Sequence, residues 1–495
     1  MIMKLTELLK NIEVLSQIGL DCEINEICTD TRKATRGSCF VCIKGFVTDG
    51  HIYAPRAIEA GSSAVVMMDE EYQRDLAYKY RDLIKDGHLT LIQVANTRHA
   101  MAMLSDAISG HPSGKLDLIG ITGTKGKTTT SLMIKNVFDK KNVKTGLVGT
   151  MYNMIGERII ETERTTPEAN VLQPLLAEMV DEGVKTCIME CSSQGLKLER
   201  TGGCEYKIGV FTNLSPDHIG ANEHPDMDDY ARSKGLLFRH CKVGVVNADS
   251  SWLPKVIDGA TCEIVTYGID NKADFMAENI VYHSDSVEYD VIGKCEKTHV
   301  TVKIPGKFTV YNSLAAFAAC FISGCEISDI LNGISSIVVK GKAEIVPTGR
   351  DFTVMIDYAH NPDSFINIIT TAKQFAKRVV FLFGAGGDRN RPRALMGETA
   401  ATHADFTIIT SDNPRSEDPA KIVADIAVGA EKTGKPYVCI VDRREAICYA
   451  IDNARPGDVI ILAGKGHETY QIFKDKTVEF DERVVVKEAL EKGGV

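Results

Sequence analysis

The sequence lacks any run of about 18 apolar residues, the length that a membrane-spanning helix needs. Charges at Lys4, Glu7, Lys10 and Glu13 also interrupt any apolar signal-peptide core in residues 1–15. There is no internal repeat, low-complexity tract or block of like charge, and the net charge of -10 offers no basic surface to nucleic acid. We therefore expect a cytoplasmic protein that binds neither membranes nor nucleic acid, and we take it to be a monomer.

The 14 cysteines show no spacing typical of a disulfide framework, which favours free thiols in a reducing compartment. Cys39 and Cys42 have the spacing of a redox or zinc pair. They lie, however, in the apolar run 39-CFVCI-43, and no second pair is placed to complete a zinc site. This run predicts a buried strand.

The chain of 495 residues is too long for one core, and its 44% apolar and 25% charged residues are typical of a globular protein. A turn at 110-GHPSG-114 marks the first boundary. Strand-like and helix-like stretches then alternate, which predicts α/β domains with parallel sheets; only residues 263–306 have an antiparallel pattern. The predicted domains are residues 1–112, 113–344 and 345–495.

A glycine-rich turn, 123-GTKGKTT-129, lies between a predicted strand at 116–121 and a predicted helix at 128–141. It departs from the common phosphate loop G-x-x-x-x-G-K-[ST]. Its glycines still allow backbone N–H groups to face a phosphate at the positive end of the helix. Lys127 would add charge at the terminal phosphates and Thr128 a hydroxyl for Mg²⁺. A motif this short is weak alone, but its position favours an ATP site.

Two further polar residues follow predicted strands near this loop. Glu190 ends the strand in 186-TCIME-190, and His218 lies just beyond the strand at 208–213. Parallel sheets place functional side chains at such strand ends. Each would be an ordinary loop residue on its own, and histidine is an unusual ligand for Mg²⁺. Together with the loop, they predict a metal-assisted nucleotide site.

Seven motifs occur in one order along the chain: 123-GTKGKTT-129, 189-MECSSQGL-196, 212-TNLSPDH-218, 305-PGKFTVYNSLAA-316, 357-DYAHNPD-363, 411-SDNPRSEDP-419 and 463-AGKGHETYQ-471. This ordered set resembles the Mur ligase family, and the similarity covers essentially the whole chain.

The resemblance implies a three-domain α/β fold: a small N-terminal UDP-binding domain, a central P-loop-type parallel-sheet ATPase domain and a C-terminal Rossmann-like domain. It implies an ATP-dependent ligase of peptidoglycan precursor synthesis. That enzyme would add meso-diaminopimelate to UDP-MurNAc-L-Ala-D-Glu, converting a carboxylate into an acyl phosphate that an amino group then attacks. Metal ions and a lysine would neutralise the charge that moves with the phosphoryl group.

The resemblance also implies roles for individual residues. Thr128 and Glu190 would hold one Mg²⁺, and His218 a second one together with Lys234. From its local sequence Lys234 is typical of a solvated helix lysine, but it matches the lysine that the family carbamylates with CO2. Lys127, Glu190, His218 and Lys234 would be the catalytic residues. The ATP-binding set would be Gly123, Thr124, Lys125, Gly126, Lys127, Thr128, Thr129, Asn312, Lys342, Asp357 and His360.

The match has departures. The segment 218–234 is longer than is usual in the family, and His224 is left unassigned. Lys342 stands where arginine is usual, which keeps the charge but loses the planar fork. Leu198 replaces a common glutamine, and Thr31 replaces serine in the first-domain module. The nucleotide-sugar substrate would be bound by Thr31, Asp49, Gly50, His51, Thr165, Thr166, Ser192 and Arg200.

The motif 412-DNPR-415 predicts which amino acid the enzyme adds. Diaminopimelate differs from lysine by a second carboxylate, which Arg415 could bind through two parallel N–H bonds. The alternative interpretation is that Arg415 caps a helix or pairs with Glu417. The loop 384–397 also departs from the family pattern, which leaves room for another amino acid. The amino-acid-binding set would be Arg389, Asp412, Asn413, Arg415, Gly464 and Glu468.

Two alternatives stay open. One is a ligase of the same family that adds L-lysine or another amino acid, which only Arg415 disfavours. The other is a nucleotide-sugar-binding paralogue without catalysis, although none of the expected ligands is lost. Three other classes are disfavoured. Folylpolyglutamate synthase lacks the N-terminal module, and cyanophycin synthetase is longer than this chain. A switch NTPase would need a Walker B strand or an arginine finger, and we find neither.

Overall fold

A computed structural model describes residues 2–220, 223–337, 339–388 and 392–492. The chain divides into two compact units, each described by itself below. The first comprises Met1–Phe275 with Ala315–Gly333, and the second comprises Met276–Leu314 with Ile334–Val495. Among the described residues, no helix combines the length and apolar character required to cross a bilayer.

The N-terminal part of the first unit is built on a five-stranded sheet of order β2-β7-β6-β5-β4, with β1 and β3 forming a separate antiparallel pair. Strands β4 to β7 run parallel, and β2 pairs antiparallel with β7. The strands are β1 (Met3–Lys4), β2 (Val14–Ile18), β3 (Glu23–Ile24), β4 (Glu26–Cys28), β5 (Ser38–Val41), β6 (Ala64–Met67) and β7 (Thr90–Val94). The helices are α1 (Leu5–Leu8), α2 (Ala54–Glu59), α3 (Glu70–Lys79), α4 (Arg81–Lys85) and α5 (Thr97–Ile108).

Strand β5 explains the paired cysteines. All four residues of β5 are buried. Cys39 within the strand and Cys42 directly after it are fully buried, and both thiols are free. Burial raises the pKa of both thiols far above the ordinary value. The predicted buried strand is confirmed.

The central part of the first unit is a mainly parallel sheet. Its order is β11-β10-β9-β12-β8-β13-β14-β15, with β8, β9 and β12 to β15 parallel. The strands are β8 (Asp117–Thr122), β9 (Thr145–Val148), β10 (Asn153–Ile155), β11 (Arg158–Ile160), β12 (Thr186–Glu190), β13 (Tyr206–Phe211), β14 (Cys241–Asn247) and β15 (Glu263–Gly268). The helices are α6 (Lys127–Lys140), α7 (Ala169–Asp181), α8 (Ser193–Lys197), α9 (Met227–Gly235) and α10 (Leu253–Val256).

Strand β8 and helix α6 lie where the strand–turn–helix pattern predicts them, with the glycine turn between them. Strand β8 is central and apolar because it is covered on both faces. Parallel strands end at the same edge, so the turn after β8, Glu190 at the end of β12 and the segment after β13 share one edge.

The predicted antiparallel region begins too early. The alternation along β15 comes from one face that is only partly buried, and the strand pairs in parallel with β14. Antiparallel pairing is found between β17 and β18. The elements that follow are β16 (Phe275–Tyr282), β17 (Val287–Gly293), β18 (Thr298–Val302), α11 (Lys307–Ile322) and α12 (Ile327–Ser335).

The C-terminal part of the second unit has a six-stranded sheet of order β19-β20-β24-β21-β22-β23. It is parallel except for the edge strand β19. Its strands are β19 (Glu344–Val346), β20 (Thr353–Asp357), β21 (Arg378–Phe383), β22 (Phe406–Ile409), β23 (Tyr437–Cys439) and β24 (Asp458–Ala463). Strands β25 (Tyr470–Ile472) and β26 (Thr477–Glu479) form a separate antiparallel pair. The helices are α13 (Pro362–Lys373), α14 (Arg393–His403), α15 (Pro419–Glu431), α16 (Arg443–Asp452) and α17 (Glu482–Lys492).

Two apolar layers cover this sheet. Residues of α13, α14 and α15 pack in one core cluster, and residues of α16 and α17 in another. With both faces covered, polar side chains collect at the strand ends. The carboxyl ends of β20, β21, β22 and β24 therefore form the edge at which a ligand of such a sheet is expected.

Candidate active site

The glycine loop after β8 has a backbone that only glycine fits at two positions. Gly123 has φ +150°, and a Cβ there would stand 1.9 Å from Oγ1 of Thr212. Gly126 has φ +84° and precedes the first turn of α6. The loop therefore closes tightly on the segment after β13 and leads directly into a helix N-terminus, as a phosphate site requires.

The loop is held by Asn213. The backbone N–H of Thr124 donates to the Asn213 carbonyl at 2.9 Å, and that of Lys125 donates to Asn213 Oδ1 at 3.0 Å. The Lys127 ammonium lies against the loop, donating to the carbonyls of Gly123 at 2.8 Å and Thr124 at 3.2 Å. The predicted lysine is thus at the centre of the loop.

Glu190 is buried at the end of β12, beside the loop. Its Oε2 accepts from the hydroxyls of Thr128 at 3.1 Å and Thr150 at 2.8 Å, and its Oε1 accepts from the Thr150 N–H at 3.1 Å. Gly149 makes room, because a Cβ there would lie 2.7 Å from Oε1. The structure brings Thr128 and Glu190 together.

These donors suit one type of metal ion. A threonine hydroxyl and a carboxylate are hard oxygen ligands, and Mg²⁺ often takes only one or two protein ligands beside substrate phosphates. Among the described residues, no group of three or more His, Cys, Asp or Glu side chains could hold a metal ion. Thr128 and Glu190 therefore fit Mg²⁺ bound together with a nucleotide better than they fit a structural metal site.

Lys234 is not a solvated helix lysine. It is 1% exposed on α9, and its Nζ lies 4.3 Å from the centre of the Tyr230 ring. Burial, and secondarily the charge of Lys127, lower the pKa of the Lys234 ammonium well below its usual range. A neutral amine is therefore favoured at this position.

The two histidines of the loop before α9 differ. His218 has φ +56°, is about half exposed, and its Nδ1 lies 2.9 Å from Oε1 of Glu223. His224 is fully buried, with Nδ1 2.6 Å from Oδ2 of Asp229 and Nε2 2.8 Å from Oγ of Ser193. The rings of both histidines contact Tyr230. His218 is thus near Lys234 through a shared neighbour, while His224 connects α8 with α9.

Three residues predicted for the nucleotide sugar form one cluster at the end of β12. Thr166 Oγ1 donates to the Glu190 carbonyl at 2.9 Å and accepts from the Ser192 N–H at 2.9 Å. Arg200 donates to the Thr166 carbonyl at 3.3 Å and pairs with Glu168 at 3.0 Å. Nearby, Thr165 Oγ1 lies 3.1 Å from Oγ1 of Thr150, so this set adjoins the Glu190 carboxylate.

Three of the nucleotide-sugar residues predicted in the N-terminal part of the chain, Asp49, Gly50 and His51, have clear structural roles. Asp49 Oδ1 accepts from the His51 N–H at 3.0 Å and lies 2.6 Å from its Nδ1, and these contacts lower the pKa of Asp49. The Nε2 of His51 accepts from the Met68 N–H at 3.1 Å. A Cβ on Gly50 would lie 2.6 Å from the Ile43 nitrogen. Thr31 is partly exposed in the turn before β5.

In the second unit, three of the residues predicted to bind ATP, Lys342, Asp357 and His360, lie around Tyr358. The Lys342 Nζ lies 5.2 Å from the ring centre of Tyr358, and the ring of His360 packs against it edge-on. Asp357 accepts from the N–H groups of Ala343 at 2.8 Å and Ala359 at 2.7 Å. Asn312 is buried on α11.

A pocket at the carboxyl end of the C-terminal sheet contains most of the predicted amino-acid-binding residues. Gly464 shapes it, because a Cβ there would lie 2.6 Å from Oδ2 of Asp412. Arg389 falls outside the described residues. The lining residues are Tyr358, His360, Gly384, Ala385, Gly386, Asp412, Asn413, Arg415, Gly464 and Glu468.

The structure does not support pairing of Arg415 with Glu417. Glu417 is bound by Arg393, with Nη2 to Oε1 at 2.7 Å and Nη1 to Oε2 at 2.9 Å. Arg415 has φ +55°, its backbone N–H donates to the Ile472 carbonyl at 3.0 Å, and its Nε is buried without a hydrogen-bond acceptor. Within the described ranges the Arg415 side chain has no ion-pair partner, so its charge is available to the pocket.

Sequence reasoning missed two residues. Thr150 supplies two of the three hydrogen bonds that the structure describes to the Glu190 carboxylate, but nothing in its local sequence indicates this. Lys465 is fully buried beneath the pocket and donates to Asn413 at 3.1 Å and Glu468 at 3.3 Å. A charged residue between two glycines, directly after the buried strand β24, was the available signal.

A phosphate-type loop beside a buried carboxylate, and a charged pocket at the end of a second parallel sheet, are typical of nucleotide-dependent α/β enzymes. The chain belongs to the Mur ligase family. Residues 121–320 match the Mur ligase middle domain, residues 341–466 the Mur ligase glutamate ligase domain, and residues 23–108 the Mur ligase family catalytic domain. The resemblance and the predicted α/β fold class are confirmed.

Individual relatives match over nearly their full length. The chain is 45% identical to a UDP-N-acetylmuramoyl-L-alanyl-D-glutamate--2,6-diaminopimelate ligase of Caldanaerobacter subterraneus subsp. tengcongensis, over 99% of each protein. It is 42% identical to the ligase of the same name from Clostridium botulinum, over 99% of this chain and 100% of the relative.

Two solved structures also resemble this chain over most of its length. A structure of a ligase with that name matches with a TM-score of 0.71 and 29% identity, covering 95% of both chains. A MurF ligase from Thermotoga maritima in complex with ADP matches with a TM-score of 0.57, covering 95% of this chain and 97% of the other. At 14% identity the latter shows the fold alone.

Proposed function

We propose that this chain is a MurE-type ligase that joins meso-diaminopimelate to UDP-MurNAc-L-Ala-D-Glu at the expense of ATP. The γ-phosphoryl group of ATP passes to the D-Glu carboxylate, leaving ADP and an acyl phosphate. The amino group of diaminopimelate attacks the acyl carbon, loses a proton and expels phosphate. Identity of 45% over 99% of both chains to a ligase of this name supports the assignment.

The observation that carries the choice of amino acid is the charge arrangement of the C-terminal pocket. Arg415 has no ion-pair partner among the described residues, and it shares the pocket with Asp412 and Glu468. The distal end of diaminopimelate carries a carboxylate and an ammonium. One free guanidinium beside two carboxylates complements both groups, whereas lysine would leave the guanidinium unpaired.

ATP is the co-substrate of the proposed reaction, and Mg²⁺ is its metal cofactor. When bound, Mg²⁺ would neutralise negative charge on the phosphoryl group that ATP transfers. Thr128 and Glu190 are its proposed ligands, and Lys127 binds the terminal phosphates beside them. The ATP set extends over Gly123 to Thr129, and in the second unit over Asn312, Lys342, Asp357 and His360.

We assign Lys234 as the carbamylated lysine, with His218 as a further metal ligand. Among the residues that the structure describes, Lys234 has no carboxylate ion-pair partner, and burial of such a lysine is costly and favours the neutral amine. A neutral amine is the form that combines with CO2, releasing a proton and leaving an anionic oxygen ligand. Mass spectrometry under CO2 should find a carbamate at Lys234, or none if the assignment is wrong.

The remaining assignments follow the family. Thr31, Asp49, Gly50, His51, Thr165, Thr166, Ser192 and Arg200 would bind the nucleotide sugar. The proposed domains are residues 1–112, 113–344 and 345–495. We also propose that the chain works as a monomer in the cytoplasm, on soluble precursors of peptidoglycan.

The test is phosphate release by the purified protein with ATP, Mg²⁺ and UDP-MurNAc-L-Ala-D-Glu. Meso-diaminopimelate, L-lysine, L-ornithine or no amino acid is added in parallel. Release that depends on diaminopimelate is expected. Release that prefers lysine or ornithine would keep the ligase mechanism and overturn the role of Arg415. Failure with all of them would contradict the proposed function and favour a paralogue without this activity.

A further inference from the structure

Beneath the amino-acid pocket lies a buried lysine, Lys465, that none of the roles above uses. Lys465 has no exposed surface, and its Nζ donates to Asn413 Oδ1 at 3.1 Å and to Glu468 Oε2 at 3.3 Å. The Asn413 Nδ2 donates to the same Glu468 oxygen at 2.8 Å. Both partners line the pocket, whereas Lys465 does not.

The contacts divide the Glu468 carboxylate into two different oxygens. Oε2 accepts from both Lys465 and Asn413, and in the described part of the chain no hydrogen bond reaches Oε1. A carboxylate held through one oxygen keeps one rotamer and presents its other oxygen in a defined direction. Asn413 is fixed in turn, because its Oδ1 also accepts from the Ile472 N–H at 3.0 Å.

The energetic role of Lys465 follows from its burial. A buried ammonium is costly unless it is paired and hydrogen-bonded, and here Glu468 provides the charge and Asn413 the second acceptor. Burial lowers the pKa of Lys465, partly offset by the nearby Asp412 and Glu468 carboxylates. An ammonium without exposed surface costs stability even when it is paired, which indicates a requirement beyond packing.

We propose that Lys465 is a positioning residue that sets Glu468 to receive the distal ammonium of the incoming diamino acid. Lys465 does not touch the substrate. Its donation to Oε2 orients Oε1, while Arg415 binds the distal carboxylate. This inference rests on the proposed function, because it deepens the recognition of the amino acid by the same pocket.

The test is a double-mutant cycle of Lys465→Met and Glu468→Gln, measured as the KM of the amino acid that the wild-type protein uses. If Lys465 acts through Glu468, each single change should raise this KM on the order of 10- to 100-fold, and the double variant should be no worse than Glu468→Gln. The KM values of ATP and the nucleotide sugar should change less than about threefold, because changes of that size are within the usual deviation from additivity. Lys435→Met, at an exposed lysine of the same unit, is the matched control.

Additive effects in the cycle would overturn the proposal, because they would mean that Lys465 and Glu468 act independently. Equal increases of all three KM values would overturn it too, since they indicate a general structural role. If Lys465→Met does not fold, Lys465→Gln replaces it in the same cycle, keeping a donor for Asn413 without the charge. The wild-type substrate panel decides the proposed function separately, and a different preferred amino acid would still leave the cycle decisive.

Discussion

Replacing Arg415 by methionine tests the pocket most directly. The change removes a guanidinium that has no ion-pair partner among the described residues, so no internal pair is broken. A charged, hydrogen-bonded contact to a substrate carboxylate is worth about 2–5 kcal/mol, or roughly 30- to several-thousand-fold in kcat/KM. We expect a loss of that size for meso-diaminopimelate and little loss for L-lysine, which lacks the distal carboxylate.

The assay is phosphate release with each amino acid at saturating ATP and nucleotide sugar. Arg415→Lys should fall between the wild type and Arg415→Met, because lysine keeps the charge but cannot bind a carboxylate with two parallel bonds. Arg444→Met is the matched control, since Arg444 forms only a half-exposed surface pair with Glu488. An unchanged ratio of diaminopimelate to lysine activity in Arg415→Met would refute the reasoning.

Three further changes are expected to have separate effects. Glu190→Gln should lower kcat/KM by about 100-fold or more and raise the Mg²⁺ concentration needed for half-maximal rate. The reason is that the change removes a charged ligand and places an amide beside the Thr150 N–H. A Mg²⁺ titration like that of the wild type would contradict this. Gly123→Ala should destabilise the loop by about 1–3 kcal/mol and weaken ADP binding, since the added Cβ would collide with Thr212. Thermal unfolding measures the stability and calorimetry measures ADP binding. If neither changes, the loop can relax around the Cβ and the prediction is wrong. Burial lowers the pKa of His467, so on acidification the unfolded chain protonates this histidine first, and stability falls as the pH drops below about 6.5. His467→Gln should therefore flatten the pH dependence of the melting temperature between about pH 7 and pH 5. A dependence as steep as that of the wild type would contradict this.

Much of the central site could be predicted because it is encoded locally. The turn at 123–129 needs glycine at special backbone angles, a lysine and a hydroxyl at the start of a helix, and all of these lie within seven consecutive residues. Glu190 was predictable because parallel strands end at one edge of a sheet. The role of His218 stays a prediction, since its ring is paired with Glu223 in this structure.

Other features depended on residues far apart in the chain. Lys234 was typical of a solvated helix lysine until packing showed it to be buried beside Tyr230. The alternative pairing of Arg415 with Glu417 was excluded only because Arg393 occupies Glu417. Burial and partner choice are set by which elements pack together, and local sequence does not report them.

The sequence alone therefore determined the family, the α/β class, the phosphate loop and most of the polar residues at strand ends, because each depends on short-range backbone geometry or on ordered motifs. Packing decided which charges are free and which are paired. Asn413 lies beyond β22 and Lys465 beyond β24, two strands that β21 separates in the sheet, and the segments after these strands bring the two side chains within hydrogen-bonding distance beside Glu468. A hydrogen bond between residues 52 positions apart depends on how distant segments pack, and no local pattern specifies it.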